Sequence, residues 1–142
     1  AAAAFTPAGD LLATAGEDAA VRLWRVPSGE PAGVLRGHAG PVTGVAFAPD
    51  GATLATAGED GTVRLWDARG TALRAVVGAH ESPAGCVAFD PAGTRLASGG
   101  HDRAVRVWDV PTRTPVYATG GFTNAVTSVG FSRDGRTLLA AS

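Results

Sequence analysis

Short apolar segments alternate with tight polar turns along the whole chain. Segments such as Leu11–Ala15, Thr53–Ala57 and Arg95–Gly99 are each followed by a Gly-x-Asp turn and then by a second segment, of which Val63–Trp66 is typical. Their β-branched and aromatic residues suit strands, and no apolar stretch has the length or the period of a helix. The pattern therefore predicts an all-β fold of short strands joined by hairpins.

The strands recur with a fixed period. Two sets of aromatic residues mark it: Trp24, Trp66 and Trp108, and Phe5, Phe47, Phe89 and Phe131. Neighbouring members of each set are 42 residues apart (66 − 24 and 108 − 66 for the tryptophans). A period of about 40–45 residues with Gly-His and Trp-Asp landmarks indicates a four-stranded propeller blade. We predict four-stranded antiparallel blades at residues 1–36, 37–78 and 79–120, with an incomplete unit at 121–142.

The predicted strands fall into inner and outer classes. Inner strands are expected at Ala1–Phe5, Val42–Phe47 and Gly85–Phe89, outer strands at Gly33–Arg36, Leu73–Val77 and Val116–Thr119, and the last strand at Arg136–Ala140. A length of 142 residues gives 142/42, or about 3.4 blades, whereas closed propellers take about four to eight. We therefore expect a part of a longer propeller, completed by further blades of its own chain or by other copies of it.

Composition excludes several classes of function. All twelve basic residues are arginine, so a phosphate-binding lysine and a lysine Schiff base are absent. A net charge of −1 with interspersed signs argues against nucleic acid as a partner. No apolar run approaches the roughly 18 residues of a membrane span, and no signal peptide is visible. We expect a cytoplasmic location and no membrane partner. Cys86, the single cysteine, is expected to pack in an inner strand.

One constellation of polar residues occurs twice at the same intervals. Its copies are His38, Thr56, Asp60 and Trp66, then His80, Ser98, Asp102 and Trp108. A histidine, a hydroxyl and a carboxylate could suggest a hydrolytic triad. Repetition one blade apart, each time with a tryptophan, favours instead a buried network in which every polar group has a partner. No catalytic, cofactor or metal site is therefore predicted.

These residues and the 42-residue period resemble the WD-repeat family over the whole chain. The resemblance implies a β-propeller in which each tetrad is hydrogen-bonded from tryptophan to hydroxyl to histidine to aspartate. Two units depart from the pattern. The first has Thr14, Asp18 and Trp24, but its histidine position would precede Ala1, and Arg25 replaces the aspartate after its tryptophan. The last has Phe122 and Ala140 at the histidine and hydroxyl positions, so we expect no network there.

The resemblance also implies a platform for protein or peptide partners. Because each histidine must reach an aspartate in the next Gly-x-Asp turn, the turns and the bridges between blades should share one face. The candidate partner-binding residues on that face are Glu17, Glu59, His101, Glu81, Ser82, Thr123 and Asn124. The opposite face, with Asp50, Arg69, Arg113 and Arg133, stays open as an alternative.

Three hypotheses about function follow. The first is a protein-interaction scaffold, a regulatory or sensor segment of a larger bacterial signalling protein. The second is an enzymatic propeller whose central-channel site is supplied by other blades, since the inner strands here carry almost no acids, bases or metal ligands. The third is a fragment that completes its ring by self-association.

Overall fold

A computed structural model describes residues 1–142 and is built from strands and turns alone. The first sheet contains β1 (Ala2–Phe5), β2 (Leu11–Ala15), β3 (Ala20–Arg25) and β4 (Pro31–Arg36). The second contains β5 (Val42–Phe47), β6 (Thr53–Gly58), β7 (Thr62–Asp67) and β8 (Ala72–Ala79). The third contains β9 (Ala84–Phe89), β10 (Arg95–Gly100), β11 (Val105–Asp109) and β12 (Thr114–Thr119). A final hairpin pairs β13 (Ser128–Phe131) with β14 (Leu138–Ala141).

Each complete sheet is an antiparallel meander whose strands pair in chain order. The predicted all-β fold of four-stranded blades, about 3.4 of them, is confirmed. No helix is present that could cross a membrane. The strand that contains the tryptophan pairs in regular register with the strand before it. Its pairing with the outer strand shifts register between Leu23 and Trp24, between Leu65 and Trp66, and between Val107 and Trp108.

Some predicted strand bounds are wrong, most clearly in the last unit. Strand β14 begins at Leu138, two residues later than predicted. The turn before it explains the difference, because the Asp134 carboxylate accepts a hydrogen bond from the Arg136 N–H (3.0 Å) and the Ser132 hydroxyl accepts one from the Thr137 N–H (2.9 Å). These side chains hold Arg136 and Thr137 in the turn. Strand β8 also continues to Ala79, beyond the predicted Val77.

The hydrophobic core lies between the blades. Side chains alternate along each strand, so Ala13 and Leu23 face one side of the first sheet while Leu12 and Trp24 face the other. Ala13 and Leu23 pack with Leu54 and Trp66 of the second sheet in one cluster. An equivalent cluster joins Ala55, Ala57, Val63, Leu65 and Val77 of the second sheet to Ala84, Val87, Leu96 and Trp108 of the third. Each blade thus covers the tryptophan side of the blade that follows it.

Inner strands of successive blades lie side by side and are also linked by hydrogen bonds. The Val42 N–H donates to the Gly16 carbonyl at 3.2 Å, and the Val126 N–H donates to the Gly100 carbonyl at 3.1 Å. The Thr43 hydroxyl lies within hydrogen-bond distance of the Ala84 carbonyl. These bonds fix the spacing between blades and bring the turns of one blade beside the bridge to the next.

Candidate functional site

The first complete tetrad lies at the junction of the first and second blades. Trp66 donates its indole N–H to the Thr56 hydroxyl at 2.8 Å. That hydroxyl lies 2.7 Å from His38 Nε2, and His38 Nδ1 lies 3.0 Å from Asp60 Oδ1. Thr56 has no exposed surface and the His38 side chain is 1% exposed. The structure therefore brings all four residues into one buried chain of hydrogen bonds.

The second tetrad repeats this geometry one blade further on. The Trp108 N–H donates to Ser98 Oγ at 3.1 Å, and that oxygen lies 2.8 Å from His80 Nε2. His80 Nδ1 lies 2.9 Å from Asp102 Oδ1. Because Ser98 has no exposed surface, a substrate has no access to its hydroxyl. The arrangement can therefore fix the positions of strands and turns, but it does not present a nucleophile.

The aspartates determine where the histidine protons lie. A carboxylate only accepts hydrogen bonds, so His38 Nδ1 carries the proton and Nε2 accepts a hydrogen bond from the Thr56 hydroxyl. Burial lowers the pKa of His38 and of His80, and this outweighs the opposing effect of the neighbouring aspartates. Burial alone would raise the pKa of Asp60, but hydrogen bonds from Ala39, Thr62 and His38 outweigh it and lower the pKa to about 2. A neutral imidazole thus faces an ionised carboxylate.

An arginine belongs to each of these networks, and the sequence interpretation missed it. Arg64 Nη2 lies 3.5 Å from Asp60 Oδ2, and Arg64 Nε donates to the Thr62 hydroxyl at 3.0 Å. Arg106 and Arg22 pair in the same way with Asp102 and Asp18. The signal was present, because every complete repeat carries an arginine four residues after this aspartate, inside Val-Arg-x-Trp.

The first blade holds only part of a tetrad. Its Trp24 N–H donates to the Thr14 hydroxyl at 2.8 Å. The histidine position of this repeat would precede Ala1. Asp18 pairs with Arg22, and its side chain is 48% exposed. Within residues 1–142 no other blade covers this side of the sheet, so Thr14 and Trp24 are only half-buried.

The last unit has no such network. Phe122 lies half-buried in the loop after β12, and Ala140 lies exposed on β14. The neighbouring Val126 is fully buried against the third blade, where it lies close to Gly99. Apolar packing and the backbone bond to Gly100 therefore hold this hairpin in place.

Turns and bridges alternate around one face of the structure. The Glu59 N–H donates to the Pro41 carbonyl and the His101 N–H to the Pro83 carbonyl, both at 2.8 Å. Gly61, in the same turn as Glu59, packs closely on the His80 carbonyl. That turn therefore also lies beside the next bridge. On this turn face the structure leaves six predicted residues exposed, namely Glu17, Glu59, Glu81, His101, Thr123 and Asn124, while Ser82 is half-buried.

Neither a metal site nor an unsatisfied polar group marks a catalytic centre. No three His, Cys, Asp or Glu side chains are arranged to hold a metal ion. Every buried side-chain nitrogen and oxygen has a hydrogen-bond partner. Burial raises the pKa of the Cys86 thiol, whose sulfur lies 3.8 Å from the Gly99 and Val126 carbonyl oxygens. The candidate functional surface is the exposed turn face.

Comparison with known proteins agrees with this architecture. The model of the WD40 family, described as WD domain, G-beta repeat, matches residues 1–25, 29–67, 72–109 and 113–142. A search of curated proteins finds no match. The first match covers β1–β3, and each later match begins with the outer strand of one sheet and continues into the next sheet or the final hairpin. Together the four matches cover most of the chain. The chain therefore belongs to the WD40 repeat family.

Proposed function

We propose that this chain is a protein-interaction scaffold that binds a protein or peptide on its turn face. WD40 repeats generally mediate protein–protein interaction. The observation that carries the proposal is the contrast between the buried network, complete in two blades, and the exposed turn tips, where glutamate changes to histidine in the third turn. Glu17, Glu59 and His101 occupy the same position in three successive turns and are all exposed. Different side chains on a rigid, repeated support are suited to recognition.

Charges on the turn face favour a basic partner over its first two blades. Glu17, Glu59 and Glu81 are exposed carboxylates that arise from two turns and one bridge. The third turn is different, since His101 and Arg103 are exposed there. Complementary charge steers association and fixes register more than it adds affinity. The proposed partner therefore carries lysine or arginine opposite the first two blades.

In this proposal the chain is the regulatory or sensor segment of a larger bacterial signalling protein in the cytoplasm. In this proposal the scaffold performs no chemistry, and the tetrads enclose the hydroxyls of Thr56 and Ser98 and the imidazoles of His38 and His80. Partner binding on the turn face would then control domains attached to the same chain. Thr123 and Asn124 would extend the contact over the last bridge.

The test begins with selection of binding peptides from a random displayed library on the full chain. Selected peptides are then titrated against Glu59→Arg, His101→Ala and, as a control on the opposite face, Arg113→Glu. We expect enrichment of basic peptides, at least about tenfold weaker binding by Glu59→Arg, equivalent to about 1.4 kcal/mol, and no change with Arg113→Glu. Peptides whose affinity is unaffected by both turn-face substitutions would contradict the proposal.

A further inference from the structure

A cleft between the first two blades carries an arginine at a position where the next two repeats carry an aspartate. It opens on the face opposite the turn face, beside the turns that join the third and fourth strands of each blade. Its volume is about 470 Å³, and Leu11, Val26 and Ala68 contribute apolar walls. The charged lining residues are Asp10, Arg25 and Arg69.

Arg25 is the residue that breaks the Trp-Asp pattern of the first repeat. The equivalent aspartates bind their own turns: Asp67 accepts a hydrogen bond from the Gly70 N–H at 3.0 Å, and Asp109 accepts one from the Thr112 N–H at 2.9 Å. A guanidinium has no acceptor and cannot replace these bonds. Arg25 instead lines the cleft, where the one carboxylate, that of Asp10, is paired with Arg69.

The charges in the cleft leave room for one further carboxylate. Arg69 Nη2 lies 3.5 Å from Asp10 Oδ2, and these side chains are 61% and 49% exposed. Two cations and one anion sum to +1, so a single carboxylate neutralises the site. Guanidinium groups match a carboxylate in shape and can donate two parallel hydrogen bonds to it.

The corresponding cleft between the second and third blades has a different character. Its volume is smaller, about 280 Å³. Arg74 in that cleft donates to the Thr53 hydroxyl at 2.9 Å and lies 3.7 Å from Asp67. Asp50 and Arg113 also line this cleft, so its charges sum to +1 as well. The difference is that Arg74 already has partners within its own blade, unlike Arg25.

We propose that the cleft between the first two blades binds a short acidic and apolar peptide segment of a partner protein. One carboxylate of the segment contacts Arg25 and Arg69, and an apolar side chain beside it packs on Leu11 and Val26. The volume is in the range of ligand clefts, about 300–1,000 Å³, and the lining combines apolar walls with a few polar groups, as such clefts do. This site is separate from the turn face and does not depend on its function.

The test titrates the full chain, by calorimetry, with acetylated and amidated pentapeptides that place aspartate between apolar residues. Matched peptides carry asparagine instead. We expect saturable binding of aspartate peptides and at least about tenfold weaker binding of the asparagine versions, as for loss of a charge-assisted bond. Arg25→Asp and Arg69→Ala should each weaken binding to a similar extent. Arg25→Asp restores the residue of the other repeats, so it should fold.

The control is Arg133→Asp, which changes charge equally on the same face but lies outside the cleft. We expect it to keep the affinity of the unmodified chain. The proposal is overturned if no aspartate peptide binds saturably, if asparagine peptides bind as well, or if Arg25→Asp has no effect. Equal losses in Arg25→Asp and Arg133→Asp would also overturn it, because binding would then follow net charge and not the cleft.

Discussion

Replacement of Thr56 by valine tests the energetic role of the first complete tetrad. The substitution preserves the shape of the side chain but removes the hydroxyl, which leaves the Trp66 N–H and His38 Nε2 without a partner. Both side chains are buried, so water does not replace the lost bonds. Each unsatisfied buried group costs about 1–3 kcal/mol, so we expect a loss of about 2–6 kcal/mol in the free energy of unfolding. This is a large fraction of the roughly 5–15 kcal/mol of a typical domain.

The assay is equilibrium unfolding in urea, followed by tryptophan fluorescence and circular dichroism on the full chain. Thr14→Val is the matched control in the first blade. There the Thr14 hydroxyl accepts a hydrogen bond from Trp24 and from no other aromatic side chain, and both residues are half-buried. We expect the control to lose less than about 1.5 kcal/mol. Equal losses in the two variants, or a loss below about 1 kcal/mol in Thr56→Val, would refute the reasoning.

Two other predictions concern pH and backbone crowding. Since burial lowers the pKa of His38 and His80, the unfolded chain binds more protons, and stability should fall as pH decreases through about 6.5. A further loss of stability should follow between about pH 4 and 2, because Asp60 takes up its proton at a higher pH in the unfolded chain than in the folded one. In Gly58→Ala the new Cβ would lie 2.5 Å from His38 Nδ1, whereas in Gly16→Ala its nearest neighbour is 3.7 Å away. Gly58→Ala should cost about 1–3 kcal/mol more than Gly16→Ala.

Both predictions are checked by the same urea titrations. An unfolding midpoint that stays constant from pH 7.5 to 5 would contradict the first, because the two histidines would then titrate alike in both states. The second fails if alanine is tolerated equally well at both positions. Gly16 is a suitable reference since it occupies the same turn of the first blade, where no histidine atom lies within 4 Å of the added Cβ.

Periodicity predicted the strands, apart from some of their bounds, and together with the resemblance to the WD-repeat family it indicated the members of each tetrad. Trp66 and Trp108 mark equivalent positions in two repeats. The interval from His38 to Asp60 equals that from His80 to Asp102, which implies that the two pairs make the same contact. The alternation of side chains along a strand then separates Thr56 from Ala55 and Ala57. These inferences depend on residue order within one repeat, which the sequence states directly.

Contacts between repeats could not be predicted in the same way. The sequence does not state which side of a sheet faces the preceding blade, so the packing of Leu23 on the side that holds Leu54 and Trp66 emerged only from the structure. The cleft at Arg25 requires two blades together, since neither blade encloses it alone.

Because two unlike faces pack at the junction of neighbouring blades, a whole repeat can be gained or lost as one unit. Both junctions between complete blades join the small-residue side of one blade, such as Ala55 and Ala57, to the tryptophan side of the next, such as Leu96 and Trp108. Gain or loss of 42 residues at a time would recreate the same junction with the same tetrad. The array can therefore change length by recombination between repeats without a new kind of interface, which leaves the turn tips free to diverge.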